Sequence, residues 1–238
     1  MKRRILINLL LLTIFCAVTA SAQDGKKNAY GILLDNTGTM RTQMDNVKII
    51  GREIVKQVNQ RGAVSLLNFE TVEFTTKKSE RIKIAQVATG IEWTQEDKPL
   101  NQFIDNLLTV AGLTTLVDAI QASAEKVNSK VDSEKGKFSE KVLFLITDGE
   151  DRDSKTKPDE LIKFLKENKI KVHAVGLLEG FGKDSDYLFP SKNPKDGAKK
   201  FLEKITKETG GRVVFPKAKQ TVEDIVKNLL TGNIKESK

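Results

Sequence analysis

The sequence predicts an α/β fold: a doubly wound, mostly parallel central sheet of about six strands, Rossmann-like, with helices on both faces. Three observations predict it. Short runs that are apolar at every position alternate with longer stretches of helical period. A run apolar at every position implies a strand buried on both faces, as in a parallel sheet between two helix layers. Three junctions between these runs also carry clustered oxygen-bearing side chains, where an open parallel sheet binds its ligands.

Residues 29–34 form the first strand, ending in Asp35, and Val47, Ile50, Ile54 and Val58 then give a helix one apolar stripe. The run 63–69 is the second strand. Segment 72–93, with strand-like pieces at 72–75 and 81–84, reads as an edge hairpin; Trp93, ahead of a helix start, reads as a packing residue. Leu116, Ala119, Ile120, Ser123 and Val127 mark a second helix, and the polar stretch 128–140 reads as a mobile loop. The run 142–146 is a strand, Pro158 opens a helix ahead of Leu161, Phe164 and Leu165, and 172–178 is a strand. That last run makes His173 a core or strand-edge residue rather than a base. Residues 213–215, between Gly210-Gly211 and Pro216, form the last strand. Thr221 caps a final helix with Val222, Ile225, Val226, Leu229 and Leu230, and Asp224 completes a capping-box-like start. Segment 181–190 is an irregular loop with Phe181, Tyr187 and Phe189, read as an interaction surface or a lid on the last helices.

The N-terminus reads as a secretory signal. Lys2, Arg3 and Arg4 precede the apolar run 5–18, and Ala20-Ser21-Ala22 supplies small residues for cleavage after Ala22. Phe15, before Cys16, is not the small residue a lipoprotein signal needs. The expected organisation is a signal peptide over 1–22, one domain over 28–231 and a flexible lysine-rich tail over 232–238. The mature chain would lie outside the cytoplasm, periplasmic or secreted, with no membrane span. It would also hold no cysteine, which suits an oxidising compartment. The formal charge of +8 includes three basic residues of the signal; removing them leaves 37 basic against 32 acidic residues, or +5. Lysines alternate with acids, as in Lys163, Lys166, Glu167 and Lys169, so a nucleic-acid surface is not expected. One cysteine and one histidine exclude disulfide frameworks, zinc fingers and histidine-rich metal sites.

The three junctions hold Asp35-Asn36-Thr37-Gly38-Thr39, Gly112-Leu113-Thr114-Thr115 and Thr147-Asp148-Gly149. Carboxylates and hydroxyls without sulfur or imidazole favour one hard cation, magnesium, manganese or calcium. Such a sphere is incomplete, and a carboxylate from another molecule can fill it. The competing reading makes Asp35 a helix cap and Thr37 and Thr39 turn residues.

Residues 30–227 resemble the von Willebrand factor type A domain, in its bacterial secreted form. The resemblance rests on the stretches 32–40, 112–120 and 142–151, and the stretch 202–216 is similar to the end of the secreted members. It implies a metal-ion-dependent adhesion site at Asp35, Thr37, Thr39, Thr114 and Asp148, holding one magnesium, manganese or calcium ion. It also implies a non-enzymatic protein-binding module whose partner completes the metal through an acidic side chain. Thr37 and Thr39 stand where the family usually has serine, and Leu113 where a glycine is common. Thr115 competes with Thr114, but spacing back from Leu116 and Ala119 favours Thr114. Asp45, Asp118, Glu150, Asp151 and Asp153 add charge near the junctions, with Glu150 and Asp151 read as groups behind the ligands or at the rim, or as simply solvated acids. Two alternatives remain: a metal-free interaction scaffold, and a magnesium-dependent phosphohydrolase of the haloacid dehalogenase type with Asp35 as nucleophile. The latter resembles the chain at Asp-x-Thr-Gly-Thr, but Thr37 occupies the position of its general acid.

Overall fold

The computed structural model describes residues 27–75, 81–110, 114–180 and 194–232. Six strands appear among them: β1 Lys27–Leu34, β2 Gly62–Thr75, β3 Arg81–Thr94, β4 Phe138–Thr147, β5 Ile170–Gly176 and β6 Val213–Val214. The α-helices are α1 Met44–Val58, α2 Asp97–Asp105, α3 Leu116–Ser133, α4 Pro158–Glu167, α5 Pro194–Glu208 and α6 Val222–Thr231. They form one sheet in the order β3-β2-β1-β4-β5-β6. All neighbours are parallel except the β2–β3 pair. The chain winds outward from β1 to one side and restarts at β4 on the other, so the switch point lies between the carboxyl ends of β1 and β4.

Strand alternation explains why the strands are apolar throughout. Ile32, Leu34, Phe144, Ile146 and Val175 pack with α1, α2 and α6 on one face. Leu33, Leu143, Leu145, Val172 and Ala174 pack with α3, α4 and α5 on the other. Each strand therefore serves two cores, and only the carboxyl ends are left for polar work. Gly31 lets α3 close on β1, because a Cβ there would lie 2.8 Å from Val127 Cγ2. His173 belongs to the core: it is buried, stacks on Phe144 at 5.3 Å between ring centroids, and burial lowers its pKa to about 4.

Segment 72–93 is an edge hairpin, but longer than the sequence suggested. β2 continues past the predicted end at Phe69 because its antiparallel pairing with β3 runs on to Thr75↔Arg81, whereas β1 stops at Leu34↔Asn68. The loop expected over 128–140 is a correction: α3 extends to Ser133 and β4 begins at Phe138. Its polarity reflects an exposed helix face laced by Asn128 Nδ2 to Asp132 (2.8 Å) and Lys130 to Glu134 (2.6 Å). The sequence reading assigned no helix to α5, whose Ala198, Leu202 and Ile205 are buried. At α6 the Thr221 hydroxyl accepts from the Asp224 N–H (3.1 Å), and Gly232 closes the helix at φ +73°. The expected signal, Cys16, Leu113, the 181–190 loop and the tail beyond Gly232 fall outside the described residues. Among the described residues no helix is long and apolar enough to cross a membrane.

Candidate functional site

The loops after β1 and β4 meet because their strands are neighbours. The Asp35 N–H donates to the Ile146 carbonyl (3.0 Å), which carries the ladder one residue past β1 and aims Asp35 at the end of β4. Asp35 is 1% exposed. Its Oδ1 accepts from the Thr37 N–H (3.1 Å) and the Thr37 hydroxyl (2.7 Å), and its Oδ2 accepts from the Thr147 hydroxyl (2.6 Å). Thr37 Oγ1 lies 3.1 Å from Thr39 Oγ1, and the Thr39 hydroxyl reaches the Asp148 carboxylate. Asp148 is equally buried and accepts from the Glu150 N–H (2.9 Å).

Four of the five predicted residues, Asp35, Thr37, Thr39 and Asp148, are thus joined by hydrogen bonds in one cluster at the switch point. Thr114, at the entry to α3, is buried and tied to the third loop, its carbonyl accepting from the Arg152 N–H (2.8 Å). Thr115 precedes α3 without capping it through its side chain. The capping reading of Asp35 fails, since its oxygens go to Thr37 and Thr147, and a 3-10 turn over Gly38–Gln43 separates it from α1.

The electrostatics follow from burial. Desolvation and the facing Asp148 charge push the Asp35 carboxyl up to about 7, against the pull of the Thr147 and Thr37 hydrogen bonds. Burial also raises Asp148, opposed by the Glu150 N–H, the Thr39 hydroxyl and Arg152. Two buried carboxylates facing one another form an anionic centre lined by hydroxyls, a donor set suited to a small hard cation. Among the described residues no group of three or more His, Cys, Asp or Glu side chains could hold a metal. A cation here would therefore need the threonine hydroxyls as well as the two carboxylates, and the residues present fit such an ion.

Sequence reasoning missed Thr147 as a functional contact. Its hydroxyl bonds Asp35 and also accepts from the Gly149 N–H (3.0 Å), shaping the turn that presents Asp148. Gly149 holds φ +79°, and a Cβ on it would lie 3.0 Å from Ala198 Cβ of α5. Of the other acids, Asp151 accepts from the Val117 N–H (3.1 Å), and Asp118 from the Lys155 and Thr156 N–H groups (both 2.9 Å). These bonds fasten the third loop to the start of α3. Asp45 lies in the first turn of α1, and Asp153 is exposed on the third loop.

The family model of the von Willebrand factor type A domain matches residues 31–228. No curated protein matches the chain. Among solved structures, the chain is similar to the pilus adhesin SpaC from Lactobacillus rhamnosus GG in its open conformation: 15% identity, 85% of this chain and 30% of that chain, TM-score 0.55. A second form of that adhesin gives 14% identity over 85% and 31% of the two chains, TM-score 0.52. The SpRpn10 VWA domain gives 17% identity over 85% and 95%, with a TM-score of 0.47. The chain spans about a third of the adhesin's length, and the likeness is one of fold. With the family model covering most of its length and the doubly wound sheet in place, this chain belongs to the von Willebrand factor type A domain family.

Proposed function

We propose that this chain is a protein-interaction module that captures a carboxylate of a partner protein through one divalent cation, magnesium in preference to manganese or calcium. Asp35, Thr37, Thr39, Thr114 and Asp148 would hold the ion. The observation that carries this reading is Asp35 itself. It is a buried carboxylate at the switch point whose hydrogen-bond partners are hydroxyls and a backbone N–H, and whose facing charge is a second carboxylate. When bound, the ion supplies positive charge and an unfilled position that a partner's carboxylate oxygen completes. The chain's own part is orientation. Thr147 and the Thr37 N–H fix the Asp35 carboxylate, the Glu150 N–H fixes Asp148, and the two threonine hydroxyls bridge the loops. The domain would work outside the cytoplasm after cleavage of residues 1–22.

The phosphohydrolase alternative loses support from the same geometry. Both oxygens of Asp35 are engaged, and the residue two positions on is Thr37, whose hydroxyl donates to the would-be nucleophile. The test is calorimetric titration of magnesium, manganese and calcium into chelator-treated mature protein, with Asp35→Ala and a phosphate-release assay alongside. One saturable site, lost in Asp35→Ala and without phosphate release, is the expected result. No heat at millimolar metal would make the chain a metal-free scaffold, and metal-dependent phosphate release would make it an enzyme.

A further inference from the structure

Glu150 and Arg152 sit two residues apart on the third loop, and neither is a candidate ligand. Glu150 is 6% exposed; its N–H donates to Asp148 Oδ1 at 2.9 Å, and its Oε1 accepts from Arg152 Nε at 2.8 Å. Its Oε2 is buried without a hydrogen-bond partner among the described residues. A buried carboxylate with one oxygen unsatisfied is costly, and an apolar side chain of similar size would serve stability as well. Arg152, at the other end of the pair, donates its backbone N–H, not its guanidinium, to the Thr114 carbonyl at 2.8 Å. The pair therefore closes a path from Asp148 to Thr114, two candidate ligands on separate loops, and Thr114 lies in no strand that could register it.

We infer that the Glu150–Arg152 ion pair is a positioning brace, shaping the 148–152 turn so that Asp148 and Thr114 meet a cation at one fixed spacing. This rests on the metal-dependent reading above. Neither side chain touches the ion. Each acts by fixing the turn whose backbone N–H groups hold Asp148 and the Thr114 carbonyl, in the way outer-shell partners of metal ligands commonly set affinity. A purely electrostatic role makes the opposite prediction for one of the two residues. Removing the Glu150 charge would weaken cation binding, whereas removing the Arg152 charge would strengthen it.

The experiment measures manganese affinity by electron paramagnetic resonance of the free and bound ion. It uses the mature protein with Glu150→Ala, Arg152→Ala, the double variant and Arg152→Lys, and follows unfolding midpoints in chelator in parallel. The brace predicts that both single truncations lower affinity by roughly 10- to 100-fold. It also predicts a double variant no worse than either single one, and recovery of most of the affinity in Arg152→Lys, which can keep the pair. If Glu150→Ala does not fold, the sign for Arg152→Ala decides. Unchanged or tighter binding in Arg152→Ala overturns the brace while leaving the metal site standing. A wild-type protein that binds no manganese overturns both.

Discussion

Asp35→Asn is expected to stabilise the metal-free protein at about pH 8 and to abolish its response to magnesium. The Asp35 carboxyl is raised from 3.8 to about 7 by burial and by Asp148, so the folded state favours the protonated form. A raised carboxyl contributes stability that is present below its unfolded value and is lost as pH rises through the folded one. The metal-free wild type should therefore weaken between about pH 4 and pH 7. Each tenfold change in proton affinity is about 1.4 kcal/mol, so the loss is on the order of 4 kcal/mol. Asparagine has no such dependence. It can still accept from the Thr37 N–H and hydroxyl through its carbonyl oxygen, where Asp35 makes bonds of 3.1 and 2.7 Å. Chemical denaturation of both proteins in chelator across this pH range should show the stability gap opening as pH rises. Saturating magnesium should then close it from the wild-type side only, because a cation that binds the folded state alone stabilises it. A gap independent of pH would mean that Asp35 is ionised in the fold without cost, and the case for an anionic centre awaiting a cation would fail.

Phe144→Ala should cost about 3–5 kcal/mol, a large part of the stability of an ordinary domain. Phe144 is 1% exposed on β4, a central strand, and its ring meets His173 at 5.3 Å and Tyr30 at 6.0 Å between centroids. This row of rings crosses three neighbouring strands beneath the helices of one face, so truncation opens a cavity that no nearby loop can collapse to fill. Urea denaturation should give a lower midpoint with an unchanged slope. A cost below about 1 kcal/mol would show that the rings do not form the packed layer described here.

What was legible in the sequence follows from this two-sided burial. Strands such as 29–34 and 142–146 read clearly because both faces are buried, so the runs are apolar throughout and end abruptly, the first in Asp35 and the second in Thr147-Asp148. Their adjacency made Asp35 and Asp148 neighbours, and the structure joins them through Thr37 and Thr39. Other features had weaker signals. Helix α5 was hidden because Lys195, Lys199, Lys200, Lys204 and Lys207 crowd its exposed side, leaving Ala198, Leu202 and Ile205 as a short apolar stripe with Thr206 buried beside it. The end of α3 was mistaken for a loop because solvated helix turns and loops share a polar composition. Thr147 falls in the third junction by sequence, but only the β1–β4 pairing, which makes it the last residue of β4, shows that its hydroxyl faces Asp35. The Glu150–Arg152 pair was half legible: the sequence marks Glu150 as an acid beside the third junction, but nothing in it marks Arg152, because a charge pair two residues apart on a loop reads as solvated until its burial is known.

The most direct test of the metal-dependent reading is a crystal structure of the mature protein grown with manganese, with the ion located by its anomalous scattering. The predicted result is one peak at the carboxyl ends of β1 and β4, in contact with the Thr37 and Thr39 hydroxyls, near Thr114, and facing Asp35 and Asp148. An empty cluster at saturating manganese, with Asp35 still bonded to Thr37 and Thr147, would contradict the account, as would a peak bound elsewhere.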